Sequence, residues 1–119
     1  MTKLRRLSWR AIVTVAVLVV AAAAVAMPVI RADFLKMAKI KPGSKIASAQ
    51  CTLCHSQGTK LNPFGLDLQK AMRAEKTRKL TEAVLKRMAK LDSDKDKATN
   101  QQEWKADTLP ADPKSKPAK

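Results

Sequence analysis

The apolar positions of the chain beyond its N-terminal region recur at the spacing of helices. A first short segment, residues 33–39, carries Phe34, Leu35 and Ala38 at positions that one amphipathic helix would bring to the same side. Pro42 and the glycine after it end that pattern. No stretch alternates apolar and polar side chains, as a half-buried strand does, for more than a few residues.

Two further helices are predicted downstream. Asn62 and Pro63 form a helix start, because asparagine is a good N-cap and proline suits the first helical position. Thr81 opens the next helix in the same way. The apolar faces after these starts are Phe64, Leu68, Ala71 and Met72 in the first helix, and Val84, Leu85, Met88 and Leu91 in the second. The pattern predicts an all-α fold of three or four short helices.

The N-terminal region is a basic segment followed by the uncharged residues 11–30. This run has the length of a transmembrane helix, which favours an uncleaved anchor. Ala24-Val25-Ala26 is the kind of site at which a secretory signal is cleaved, so an exported protein is the alternative. With basic residues before the run, the positive-inside rule places the downstream domain on the exported side in both cases. We therefore expect residues 1–31 to be a membrane anchor or signal segment.

The remaining chain has room for one small domain, which we place at residues 32–109. Residues 110–119 are rich in Pro, Lys and Ala and are expected to form a flexible basic tail. A domain of this length is marginal with an apolar core alone. Beyond the apolar run its only aromatic residues are Phe34, Phe64 and Trp104. We therefore expect something other than side chains to fill the middle of the domain.

The chain carries a formal net charge of +14 at pH 7, and most of its lysines lie after the apolar run. A basic surface favours acidic proteins, anionic lipid or nucleic acid as partners. The sequence has no nucleic-acid recognition motif and few aromatic side chains on which bases could stack. We therefore expect no nucleic-acid partner.

The chemistry-bearing residues are concentrated in one pentapeptide. Cys51 and Cys54 are the only cysteines, and the only histidine, His55, comes directly after them, so that the segment reads C-x-x-C-H. Two thiols three residues apart lie on the same side of one helical turn, at a spacing that matches the two vinyl groups of haem. The histidine then comes under the iron as its ligand. Residues 44–49 can begin the helix that carries this turn.

Three other interpretations of the two cysteines are weaker. A dithiol redox motif is usually found in a βαβ setting, which this chain lacks. A structural zinc site needs four ligands, whereas the chain has only three Cys and His residues. A disulfide across so short a loop would add little stability. Haem attachment is the interpretation that uses all three side chains.

With its C-x-x-C-H segment the chain resembles the c-type cytochromes, over about residues 32–91. Residues 61–65, Leu-Asn-Pro-Phe-Gly, also resemble a segment found after the haem site in some bacterial cytochromes. The resemblance implies one covalent haem c attached outside the cytoplasm, and one-electron transfer without substrate chemistry, so that the protein is not an enzyme. The chain departs from the family in lacking a recognisable Pro-rich loop with a methionine.

The resemblance also sets expectations about place and partners. The haem domain would lie on the periplasmic side of the cell membrane, anchored by a single span, or free in the periplasm if the segment is cleaved. It would serve a redox protein with an acidic docking face, or be the haem subunit of a respiratory or photosynthetic complex. Four lysines are candidates to surround the exposed haem edge: Lys45, Lys60, Lys70 and Lys86.

The sixth iron ligand is left open by the sequence. A second histidine is absent, so a methionine is the next candidate, and it would raise the redox potential. Met88 is preferred, because enough chain separates it from His55 to reach the far face of the haem. Met72 is the alternative, followed by Met37 or an open or water-bound iron. Each of these methionines also fits a plain packing role on an apolar face.

The segment at residues 92–103 fits D-x-D-x-D-x-x-x-N-x-x-E, the register of the EF-hand calcium loop. Lys97 takes the sixth position, where EF-hands have glycine, and must accept a sharp turn there. Lys95 and Lys97 also weaken the field at a divalent ion. The alternative is a solvated acidic loop between two helices. The candidate calcium ligands are Asp92, Asp94, Asp96, Asn100 and Glu103.

Three functions are therefore in competition. The first is a one-electron carrier with a covalent haem. The second is a haem sensor or peroxidase-like enzyme with an open iron site, which is disfavoured because no residue is an obvious distal acid or base. The third is a calcium-stabilised structural module in which the haem is mainly a staple.

Overall fold

The computed structural model describes residues 29–118. Helix α1 is described over residues 29–37, and the remaining elements are given in chain order. They are α2 (Lys45–Ser48), a 3₁₀ helix (Gln50–Leu53), β1 (His55–Gln57), β2 (Lys60–Leu61), α3 (Pro63–Ala74), α4 (Glu82–Ala89) and α5 (Asn100–Ala106). The described chain is a small helix-rich domain, as the spacing of its apolar positions predicts.

The hairpin β1–β2 is the departure from an all-α fold. The two strands are antiparallel, with His55 opposite Leu61 and Gln57 opposite Lys60. Gly58 lies between them with φ +51°, in the left-handed region that a tight turn uses. Strands of three and two residues are too short to show an alternating pattern, which is why the sequence does not reveal them.

Side-chain caps begin helices α3, α4 and α5. Asn62 and Thr81 accept hydrogen bonds from the backbone N–H groups of Gly65 and Val84, which confirms both predicted helix starts. Helix α5 begins with a capping box in which Thr99 and Gln102 each bond the other's backbone. These caps use N–H groups that have no partner within their own helix.

The apolar core is built of side chains from α1, α2 and the helices α3 to α5. Phe34, Phe64 and Trp104 meet in edge-to-face contacts, with ring centroids 5.2 to 6.4 Å apart. Leu68 and Ala71 of α3 are buried in the same cluster, as are Val84 and Met88 of α4. The few aromatic residues therefore converge in one cluster within an apolar core built of side chains.

The segment after α5 is packed over its first part. Pro110 is fully buried. The backbone N–H of Leu109 donates to Ser115 Oγ at 2.9 Å, and that of Asp112 donates to the carbonyl of Leu109 at 3.1 Å. The beginning of the segment expected to be a flexible tail is therefore held against the domain, because Pro110 buries its ring there.

The N-terminal anchor or signal segment predicted at residues 1–31 lies almost wholly outside the described residues. Among residues 29–118, the structure has no helix that is both long and apolar enough to cross a membrane.

Candidate functional site

The two cysteines lie on one turn of 3₁₀ helix rather than on the predicted α-helix. Cys51 belongs to the helix Gln50–Leu53, and Cys54 caps its C-terminus by donating its backbone N–H to the carbonyl of Cys51 at 3.3 Å. Side chains three residues apart are eclipsed in a 3₁₀ helix. The arrangement is consistent with the predicted placement of both thiols on the same side of the turn.

The thiols differ in environment. Both are free, but Cys51 is exposed and Cys54 is half-buried. Burial, with a smaller contribution from the charge of Cys51, raises the pKa of the Cys54 thiol from 9.0 to about 11. Cys54 is therefore protonated at neutral pH, and Cys51 is the more accessible of the two.

His55 opens strand β1 directly after the cysteine turn. Its Nδ1 atom is buried and has no hydrogen-bond partner. An open pocket of about 350 Å³ lies beside it, between the cysteine turn and the chain after α5. Leu53, His55, Asn62, Pro63 and residues 109–112 are among its lining residues. The histidine thus borders a partly apolar pocket and has a ring nitrogen that the protein leaves unsatisfied.

Asn62 holds the cysteine turn to the start of α3. Its Nδ2 donates to the carbonyls of Thr52 and Leu53 at 2.9 and 3.1 Å. Its Oδ1 accepts the N–H of Gly65, and its own backbone N–H donates to the carbonyl of Cys54. Sequence reasoning identifies Asn62 only as a helix cap, so it misses the role of this side chain in binding the C-x-x-C-H backbone.

The surroundings of Gly65 explain why the Leu-Asn-Pro-Phe-Gly segment ends in glycine. A Cβ atom built there would lie 2.1 Å from the carbonyl oxygen of Cys54, far inside contact distance. Phe64, the residue before it, is buried in the core. Residues 61–65 therefore pack against the backbone of the cysteine turn. Asn62 supplies the hydrogen bonds, and Gly65 leaves room for the carbonyl of Cys54.

The methionines predicted as iron ligands are placed elsewhere. Met88 is 1% exposed and lies in the apolar core, because the buried face of α4 packs on α3. Met72 and Met37 are partly buried against the same core. None of the three is among the lining residues of the pocket beside His55. In this structure, Met88 therefore packs in the core, which is the alternative to iron ligation that its place on an apolar face also allows.

The acidic loop brings its aspartates together. One carboxylate oxygen from each of Asp92, Asp94 and Asp96 lies within 4.8 Å of the others. The turn at Lys97 has φ +78°, which confirms that this residue takes the left-handed conformation expected at the sixth position. Lys95 is left-handed as well, at φ +63°.

Glu103 of α5 adds a buried fourth carboxylate. The residue is 0% exposed, and its Oε2 atom has no hydrogen-bond partner. Burial, followed by the charges of Asp94, Asp96 and Asp92, raises the pKa of Glu103 to about 8. Burial is also the largest cause that raises the pKa of Asp94 to about 6. The loop therefore concentrates carboxyl groups that form no ion pair with a lysine or arginine among residues 29–118.

Asn100, the remaining predicted calcium ligand, is occupied by the fold. Its Nδ2 donates to the carbonyl of Met88 and to Ser93 Oγ, both at 2.9 Å, while its Oδ1 accepts the backbone N–H of Ser93 at 3.4 Å. The side chain is fully buried. Asn100 thus ties the end of α4 to the loop instead of presenting a free oxygen.

The lysines predicted to surround a haem edge are all exposed: Lys45, Lys60, Lys70 and Lys86. Lys60 lies on β2, in the strand that pairs with the one beginning at His55. Lys45 is the first residue of α2, which precedes the cysteine turn.

Comparison with known proteins identified no relative. No protein-family model matches the chain, and neither the curated proteins nor the solved structures contain a match.

Proposed function

We propose that this chain is a single-haem c-type cytochrome that carries electrons one at a time. The observation that carries the proposal is the C-x-x-C-H turn. It holds two free thiols three residues apart on a 3₁₀ turn, next to a histidine with an unsatisfied ring nitrogen at the edge of a pocket. These residues fit the donor set that attaches haem c.

In this proposal each residue of the turn has a distinct role. Cys51 and Cys54 would hold the haem through thioether bonds, and His55 would bind the iron. When bound, the haem supplies a one-electron iron couple. Asn62 and Gly65 keep the backbone of the turn in place. Because the pocket beside His55 is open, an edge of the haem would be exposed there, and electrons could pass across that edge to a partner protein.

The cellular setting is part of the same proposal. Haem c is attached outside the cytoplasm, so the domain would lie on the periplasmic side, joined to the membrane through residues 1–31 or released by cleavage. The exposed lysines would face a redox protein with an acidic surface, or a neighbouring subunit of a respiratory or photosynthetic complex.

A haem sensor or peroxidase-like protein is the second candidate. It is favoured by one observation, namely that Met88, Met72 and Met37 are not among the residues lining the pocket beside His55. An iron without a sixth protein ligand would be high-spin and would bind carbon monoxide readily. A low-spin reduced-minus-oxidised spectrum that ignores carbon monoxide would support electron transfer instead.

The central test is covalent attachment. The full chain is expressed with a bacterial haem-attachment system in the periplasm and run on a denaturing gel stained for haem. We expect the parent to retain haem on the gel. Intact-protein mass spectrometry should show the mass of the chain increased by that of one haem. Cys51→Ala with Cys54→Ala should lose both signals, whereas the control Lys90→Ala should keep them. Haem that leaves the parent chain on denaturation would refute the proposal.

A further inference from the structure

Three carboxylates converge in the acidic loop, and the buried carboxyl group of Glu103 on α5 lies near them. Oxygens of Asp92, Asp94 and Asp96 lie within 4.8 Å of one another, and the charges of all three act on Glu103. The two ion pairs of the described chain lie elsewhere, at Lys70–Asp67 and Arg87–Glu75. Within residues 29–118, no lysine or arginine therefore pairs with this cluster.

Burial is the second and independent observation. Glu103 is 0% exposed, and its Oε2 is both buried and without a hydrogen-bond partner. Asp94 and Asp96 each have an Oδ2 atom in the same condition. A buried carboxylate without a partner is costly, and adjacent like charges add to the cost. An ion between these oxygens would remove both costs.

The chemistry of the ligands selects the ion. All of them are hard oxygen donors, whereas zinc prefers nitrogen and sulfur. Calcium–oxygen distances of 2.3–2.6 Å allow two ligand oxygens to lie up to about 5 Å apart, which the 4.8 Å limit of the aspartate cluster meets. Magnesium requires a tighter, near-octahedral shell and dehydrates reluctantly. We propose that Asp92, Asp94, Asp96 and Glu103 bind one calcium ion.

This site differs from the ligand set that the loop register alone predicts. Asn100, at the ninth position, holds the backbone of Met88 and the side chain of Ser93, so it positions the loop. Lys97 already has the left-handed backbone for which EF-hands use glycine. The loop therefore reaches its folded shape in spite of the lysine. Calcium binding at this site does not require haem, so the test of this proposal is independent of the test of the proposed electron carrier.

The test uses the full chain stripped with EGTA. Calorimetric titration with CaCl₂ should show one site per chain, and MgCl₂ in parallel should bind at least about tenfold more weakly. Melting followed by circular dichroism should move up by several degrees with calcium, because the ion binds only the folded state.

Glu103→Gln should reverse the order of the melting temperatures of variant and parent when calcium is added, which a merely structural role of Glu103 would not produce. In EGTA, the variant should melt at or above the parent, because a neutral amide of the same shape replaces a buried carboxyl group beside three other carboxyl groups. In calcium, the order should invert, since the variant loses a ligand and its Kd rises at least about tenfold. Asp96→Asn should behave in the same way and serves as the second variant.

Asp67→Asn is the matched control, because it removes one carboxylate charge at a surface ion pair outside the cluster. It should keep the full calcium response. A parent whose melting temperature and titration ignore calcium would overturn the proposal. So would a calcium response of unchanged size in both Glu103→Gln and Asp96→Asn.

Discussion

At the scale of single residues, the side chain of Asn62 has two structural roles. It caps α3 and at the same time donates to two carbonyls of the cysteine turn. Most helix caps perform only the first of these tasks. The difference can be measured within this chain, because Thr81 caps α4 through one bond to Val84 N–H.

Replacing Asn62 by alanine should therefore cost more than replacing Thr81. We expect about 1 kcal/mol for Thr81→Ala, the usual cost of a lost cap. Asn62→Ala should cost about 2–4 kcal/mol, because the buried carbonyl of Leu53 and the part-buried carbonyl of Thr52 also lose their donor. Urea unfolding of both variants gives the comparison. Equal losses would show that the contacts with Thr52 and Leu53 add nothing to stability.

Lys97 shows a local conflict between residue type and backbone. With φ +78° it occupies a region that costs a non-glycine residue roughly 1 kcal/mol. Lys97→Gly should thus stabilise the protein by up to about 1 kcal/mol in thermal or urea unfolding. Lys86→Gly, in the regular helix α4, is the opposite control and should destabilise by about 1 kcal/mol. A loss of stability in both variants would contradict the argument.

At the scale of elements, Asp107 joins the C-terminus of α5 to the start of α2. Its Oδ2 and Oδ1 accept the backbone N–H groups of Lys45 and Ile46 at 2.9 and 3.2 Å. Slight burial acts to raise the pKa of Asp107, but these hydrogen bonds outweigh it and hold the pKa below its ordinary value of 3.8. The ionised carboxylate therefore stabilises the folded state.

The contribution of Asp107 should depend on pH. Because the folded pKa is lowered, the stabilisation is complete above the ordinary value of 3.8 and is lost as the pH falls through the folded value. Asp107→Asn retains one acceptor oxygen and should cost about 1 kcal/mol at pH 6. Chemical unfolding at a series of pH values should show that the difference in unfolding free energy between variant and parent disappears below pH 3.8. A gap that stays constant would mean that the charge is irrelevant.

The same elements show what the sequence could predict. Caps and apolar faces are local, so the starts of α3 and α4 are confirmed together with most of their buried residues. The residues of the C-x-x-C-H turn and the acidic loop are found through their types and spacing. The contacts of Asn62 and Asp107 join segments that are distant along the chain, and no local pattern encodes them. Met88 is ambiguous in the sequence because one apolar face serves equally for packing and for a ligand.

At the scale of the whole molecule, charge should control encounter. A surface rich in lysine attracts anions, and salt screens that attraction. If the haem is present, oxidation of the reduced protein by ferricyanide should slow as salt rises, and oxidation by a cationic cobalt complex should accelerate. Lys60→Glu, beside the strand of His55, should lower the ferricyanide rate more than the control Lys105→Glu on α5. Salt-independent rates would show that the lysines do not guide encounter.

The cysteine turn is held by a nearby residue, Asn62, whereas α2 before it is held by a distant one, Asp107, and this has a consequence for the order of assembly. Asn62 lies 10 positions from Thr52, whereas Asp107 lies 61 positions from Ile46. Short loops close faster and at a smaller entropic cost than long ones. The near contact can therefore shape the turn while residues 107–112 are still unattached. In that interval the side of Leu53 and His55 that residues 109–112 later border is open, so the pocket beside His55 is completed only when this last segment packs.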